Sequence, residues 1–216
     1  MQKIGQSYKA HFRDKSFLLS FVSSVVILLG ALSVNFYAAM YAVEKASNPV
    51  TDIVLSNIRV YDVDTIFIYG PLVLWIFAGC ILLIEPRRIP FTLKSIALFV
   101  VIRSIFISLT HIGSFPTHLT IPPASFINDF TSTEDLFFSA HTGLPFLLAL
   151  IFWEHKYLRT LFIGASLLFG TIVLLGHLHY SIDVLSAFFI TYTIYHIAER
   201  VFPKDKKVFT EGIQGY

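Results

Sequence analysis

Charge is what this sequence has least of. Asp, Glu, Lys and Arg supply 14% of its 216 residues, against about 25% in a soluble domain. Apolar residues supply 55% and the mean hydropathy is +0.70, a balance that excludes an ordinary water-soluble chain. Cysteine is nearly missing as well. Cys80 stands alone in an apolar run, which excludes an internal disulfide and any Cys-rich metal site and leaves the compartment open. There is no internal repeat, no low-complexity segment and no second domain. The net charge of +2 says little by itself, because its distribution along the chain carries the information.

What is present is a series of apolar runs, several of them long enough to cross a bilayer, which takes about 20 residues. They are Phe17 to Ala42, Thr65 to Ile84, Phe91 to Ile112, Leu136 to Trp153, Leu158 to His177 and Ile182 to Phe202. The first follows a basic leader but is too long for a signal-peptide core and lacks a small-residue cleavage site, so it reads as an anchor. The expected fold is an all-α integral membrane protein, a six-transmembrane-helix bundle forming one membrane domain over residues 1–216. Residues 1–16 and 203–216 are expected to be short cytoplasmic tails.

Lysine and arginine set the orientation. They cluster in the leader (Lys3, Lys9, Arg13, Lys15), the second connection (Arg87, Arg88, Lys94), the fourth (Lys156, Arg159) and the tail (Arg200, Lys204, Lys206, Lys207). The first connection holds only Lys45 and Arg59, and the third and fifth hold none. Both termini are therefore expected in the cytoplasm, with the odd-numbered connections outside. Short loops point to a bacterial inner membrane with a periplasmic site. In a eukaryote the same topology places that site at a luminal or extracellular face.

Two histidine-bearing stretches fall on that outer side. "GHLHYSIDVLSAFF" carries His177, His179 and Asp183, and "EDLFFSAHTG" carries His141. His179 and Asp183 stand four apart, which on a helix places them on one face and within reach. A carboxylate on Nδ1 sets the tautomer and leaves Nε2 nucleophilic, and His141 can move a proton on the other side of a substrate. Nucleophile, orienter and acid are the parts of a covalent phosphoryl transfer. Arg103 lies in "LFVVIRSIFISLT", nine residues beyond Lys94 and so roughly 14 Å deeper at about 1.5 Å per residue. A charge at that depth is costly, and a phosphate in an outward cavity would be a bidentate partner.

Plainer readings stand beside these. Asp183 could be a helix N-cap, His141 an interfacial histidine, and Arg103 the partner of Asp135 or Asp183. His177 and His179 form an HxH pair that zinc could use with His111, His118 or His141, although nothing in the spacing supports a third ligand. His196, deep in the last run, reads as structural.

The same residues carry a resemblance. "EDLFFSAHTG" resembles the sphingomyelin synthase motif GDxxxSGHT, with Asp135, Ser139, His141 and Thr142 matching. "HYSIDVLSAFF" resembles that family's HYxxDVxxAY, with His179, Tyr180, Asp183, Val184 and Ala187 matching. "IRSIFISLT" is similar to its arginine-bearing third helix. The resemblance spans residues 85–200 and lies within the wider type-2 phosphatidic acid phosphatase-like superfamily. It implies His179 as nucleophile, Asp183 as its orienter, His141 as acid and then base, and Arg103 as a phosphate contact. Ser139, Asp135 and Tyr180 are further expected contacts to the substrate phosphate. Glu134 and Ala140 stand where the motif has glycines. The phosphatases' SRxxxxxHxxxD pattern fails at Ile172 and Val173, and their KxxxxxxRP motif is missing, which favours the synthase-like branch.

The expected activity is transfer of a phospho-headgroup, of phosphocholine or phosphoethanolamine type, from a membrane phospholipid donor to a lipid alcohol such as ceramide or diacylglycerol. The alternative is a lipid phosphate phosphatase with water as acceptor, and a third reading is a non-catalytic transporter or scaffold. The scheme requires no metal and no cofactor, and nothing in the chain calls for a nucleic-acid partner. Donor, acceptor and oligomeric state are not legible.

Overall fold

The structure, a computed structural model, describes residues 2–118 and 137–212. Among these the chain is helical: α1 (Gln2–Arg13), α2 (Lys15–Glu44), α3 (Asp64–Ile84), α4 (Ile89–Leu109), α5 (Ala140–Ile151), α6 (Lys156–Leu175), α7 (Ser181–Val201) and α8 (Pro203–Glu211). Five helices are long and apolar enough to cross a membrane, and α5 is a shorter apolar one. The molecule is a multi-pass membrane bundle. Leu19, Leu29, Val73, Ile76 and Phe189 face outward around it, a belt suited to hydrocarbon and not to water.

α4 is the axis of the bundle, with thirteen of its 21 residues buried. α2 lies along it. Phe17, Ser24, Ala31 and Ala38 are buried at every seventh position of α2, the repeat that keeps one seam on a neighbour, and small residues let the backbones approach. Lys94 meets Ser20 at 3.0 Å, Ser104 meets Asn35 at 3.4 Å, and Ile107 packs with Ala38 and Ala42. The two helices therefore run in the same direction. α3 sits on the rim, with only Phe67, Leu74 and Ala78 buried. The core between α4 and the last helices is aromatic, built from Phe91, Phe99, Phe138, Phe152 and Phe162.

One feature differs from the sequence expectation. The fourth apolar run, read from Leu136 to Trp153, is helical only over the twelve residues of α5. At about 1.5 Å per residue that is roughly 18 Å, short of a bilayer. Leu136 lies outside the described residues. Phe138 takes a φ of 31°, a left-handed conformation that a helix does not accept from a bulky residue, and Ser139 then caps the helix. Eight of the twelve α5 residues are buried, packed among α4, α6 and α7. The segments flanking the bundle form α1 and α8. Asp14 caps α2 by accepting the Phe17 N–H at 2.8 Å, and Pro203 starts α8 at a position where its missing N–H costs nothing. Asp205 of α8 is buried and pairs with Lys94 at 2.7 Å while accepting from Ser20.

Candidate active site

The site lies at the end of the bundle where the connections after α2, α4 and α6 meet. Its frame is the tight turn from α6 into α7. His177 N–H bonds the Leu174 carbonyl at 3.0 Å and Leu178 N–H bonds the Val173 carbonyl at 2.8 Å. That is a Schellman ending, with His177 at φ 53° in the position glycine usually takes. The strain is held by packing. Leu178 clusters with Val173, Val63 and Phe67, and His177 Nδ1 lies 2.7 Å from the Thr117 hydroxyl. The turn then delivers His179 immediately before α7.

Asp183 is fully buried in the first turn of α7. Its Oδ2 accepts the Tyr180 N–H at 2.9 Å and lies 3.5 Å from His179 Nδ1. One carboxylate oxygen thus closes the helix start and faces the imidazole. Capping and orienting are here the same contact, made by the third residue of the helix and not by an N-cap. Oδ1 of Asp183 is buried and has no hydrogen-bond partner among the described residues, an arrangement that costs about 1–3 kcal/mol.

The N-terminus of α5 is tied to the N-terminus of α7, because Ser139 N–H donates to the Asp183 carbonyl at 3.2 Å. Ser139 Oγ accepts the Thr142 N–H at 3.4 Å. The unusual φ of Phe138 presents its carbonyl to the buried Arg103, whose Nε donates at 3.2 Å. Arg103 starts from the interior of α4 and reaches the head of α5. His141, second in α5 and half-buried, stacks on Phe67 with centroids 4.2 Å apart and planes at 16°. It is near enough to His179 and Arg103 for their charges to act on it. Two helix N-termini, a guanidinium and two imidazoles thus converge on one place, an arrangement that favours an anion.

The remaining expected contacts fall differently. The Tyr180 hydroxyl is buried, donating to the Gly113 carbonyl at 2.8 Å and accepting from Val50 N–H at 3.2 Å. It ties together three connections. The Ser139 hydroxyl is engaged as the α5 cap. Asp135 lies outside the described residues. His111 and His118 bond nearby backbone carbonyls, of Ser108 and Phe115, and His177 turns to Thr117. Among the described residues no three His, Cys, Asp or Glu side chains converge as a metal site. His196 pairs with Glu199 at 3.0 Å on its own helix.

Asp52 is the residue that sequence reasoning missed. It is buried in the connection after α2, where Oδ1 accepts the N–H groups of Val54 and Leu55 at 2.8 and 3.1 Å. Its Oδ2 accepts the N–H and the hydroxyl of Ser181 at 2.7 and 2.8 Å. Burial pushes its carboxyl up, but these four hydrogen bonds together hold it below the usual carboxylate range. Asp52 thereby fixes the start of α7 one turn from Asp183. Its signal was too weak to find, since no spacing links residues 129 apart.

A family model, PAP2 superfamily C-terminal, matches residues 133–200, about a third of the chain and the part that holds α5, α6 and α7. The match supports a place in the type-2 phosphatidic acid phosphatase-like superfamily and, in general terms, an enzyme of the lipid phosphatase or phosphotransferase type. No match to a curated protein or to a solved structure was found.

Proposed function

We propose that the chain is a membrane lipid phosphotransferase that moves a phospho-headgroup from a glycerophospholipid to a lipid alcohol such as ceramide or diacylglycerol. One observation carries this reading. Arg103, His141 and the His179–Asp183 pair, contributed by four different segments, meet where the N-termini of α5 and α7 are tied together. With Nδ1 facing Asp183, Nε2 of His179 is the nucleophile. It attacks phosphorus, the P–N bond forms, and the P–O bond to the departing lipid breaks. His141 as imidazolium gives its proton to that alkoxide. In the second half His141, now neutral, takes the proton of the acceptor hydroxyl, the new P–O bond forms and the P–N bond breaks. Arg103 and the helix N-termini stabilise charge on the transferring group. Ser139 and Tyr180 serve this phosphate site through the backbone they hold, and Asp135 remains a proposed contact.

The second reading is a lipid phosphate phosphatase, favoured by the name of the matching family. It uses the same intermediate with water as acceptor. Ile172 and Val173, where such phosphatases carry Ser and Arg, favour the synthase-like branch. The distribution of lysine and arginine supports an outward-facing site, periplasmic if the membrane is a bacterial inner one. A paired assay on purified protein in mixed micelles tests the proposal. Labelled ceramide or diacylglycerol is supplied with phosphatidylcholine or phosphatidylethanolamine, and phosphatidic acid is supplied in parallel with phosphate detection. A new phospholipid that vanishes with His179→Ala is the expected result. Phosphate release without a new lipid would replace transfer by hydrolysis.

A further inference from the structure

The turn that delivers His179 is gripped on both sides by one short stretch of the connection after α4. After His179, the Tyr180 hydroxyl donates to the Gly113 carbonyl at 2.8 Å. Before it, His177 Nδ1 lies 2.7 Å from the Thr117 hydroxyl. Phe115 stands between the two grips, edge-to-face with His177 at 5.3 Å and with Tyr180 at 5.9 Å. Residues 113–117 are themselves held. Gly113 N–H donates to the Asn48 carbonyl at 3.3 Å, and Ser47 N–H donates to the His111 carbonyl at 2.9 Å. A Cβ on Gly113 would collide with the Ser47 carbonyl. His177 is costly where it stands. Its φ of 53° lies in the region that glycine enters freely and other residues seldom do, yet the position carries a buried ring. What that ring adds, and glycine would not, is the bond to Thr117 and the contact with Phe115. Backbone strain of this kind gathers where function needs a fixed geometry.

We propose that residues 113–117 are a splint for the nucleophile's turn, and that His177 and Thr117 are positioning residues that set where Nε2 of His179 points. The proposal rests on the reading of His179 as nucleophile. It places part of the machinery outside the 133–200 segment that matches the family model. Attack on phosphorus needs Nε2 in line with the P–O bond that breaks. A turn free to rock therefore slows the chemical step without weakening lipid binding. Asp183 faces the His179 ring, whereas the splint holds the backbone from which that ring extends. The same stretch leads back into α4, the helix of Arg103. The phosphate contact and the nucleophile are thus fastened to one continuous piece of chain.

The test is Thr117→Val. Thr117 is exposed, and valine keeps its shape while removing the hydroxyl. Exposed substitutions of this kind are ordinarily near neutral, so a Thr117 without a positioning role predicts wild-type kinetics. The expected result is a kcat lower by a few-fold to about tenfold, the range of one hydrogen bond, at unchanged KM. Thr117→Ser keeps the hydroxyl and is expected to restore wild-type kcat. His177→Gly separates the ring from the backbone. Glycine accepts this φ without strain, so a turn that needs only its backbone shape predicts full activity, whereas the splint predicts a loss at least as large as that of Thr117→Val. Both variants break one contact, so the double variant is expected to lose no more than His177→Gly alone. Hydrogen exchange over residues 174–182 in nanodiscs reads the fastening apart from catalysis, and it should be faster in Thr117→Val than in the wild type and Thr117→Ser. Wild-type kcat in Thr117→Val, unchanged exchange, or losses that multiply in the double variant would overturn the proposal. If the wild type turns over no lipid, the reading of His179 fails while the exchange rates still decide the fastening.

Discussion

At the scale of single residues, Asp183 is asked for two things by one oxygen. It closes the first turn of α7 through the Tyr180 N–H and faces His179. Asp183→Asn keeps the shape and removes the charge that supports an imidazolium, so kcat is expected to fall by about 100-fold or more with little change in thermal stability. A variant within twofold of wild type would reduce Asp183 to a cap. Arg103→Lys tests the other side. Lysine is a point charge without the guanidinium fork, and it cannot hold both the Phe138 carbonyl and a phosphate. A loss of roughly 100-fold in kcat, measured with protein of unchanged elution profile, is expected. The His179–Asp183 pair was legible in the sequence because its spacing is local, although the contact is made across the start of α7, with His179 in the turn before the helix and not on one of its faces. The contact of Arg103 with Phe138 was not, because it is made to a backbone carbonyl, and a carbonyl has no sequence signature.

At the scale of elements, the start of α7 is held from outside by Asp52. Because the folded state holds this carboxyl below its ordinary value, the sign is that of a carboxylate whose charged form is favoured by folding. Its contribution is full above the unfolded value of about 4 and is lost as pH falls through and below it. Asp52→Ala leaves the N–H groups of Ser181, Val54 and Leu55 without their acceptor and is expected to cost about 1–3 kcal/mol. In detergent, the difference in melting temperature between wild type and Asp52→Asn should narrow as pH drops below about 4, and a gap independent of pH would refute the assignment. The same scale shows why α5 was read too long. Its flanks are as apolar as its centre, so hydropathy continues where the backbone turns at Phe138. Likewise α1 and α8 carry too many polar residues for a membrane run, although Ile4, Tyr8 and Phe12 recur at helical spacing in α1.

At the scale of the whole molecule, the apolar runs made a membrane bundle legible, and lysine and arginine suggested its orientation. What holds the bundle at its far end was not legible. Lys94 and Asp205 are 111 residues apart and both buried. Lys94→Met leaves a buried carboxylate unpaired and is expected to cost about 3–5 kcal/mol, whereas adding Asp205→Leu removes that penalty. Thermal unfolding of the single and double variants checks this, and a double variant no better than the single one would contradict it. Such variants should leave the chemistry alone, because the site sits at the opposite end.

That chemistry is tested most directly by trapping the covalent intermediate. Purified protein is mixed with a donor phospholipid labelled at phosphorus, without acceptor, and quenched in alkali, where a P–N bond survives. The account predicts label on the peptide carrying His179, absent in His179→Ala, and chased into lipid when ceramide or diacylglycerol is added before the quench. Donor turnover that proceeds undiminished in His179→Ala, with no label on that peptide in the wild type, would contradict it.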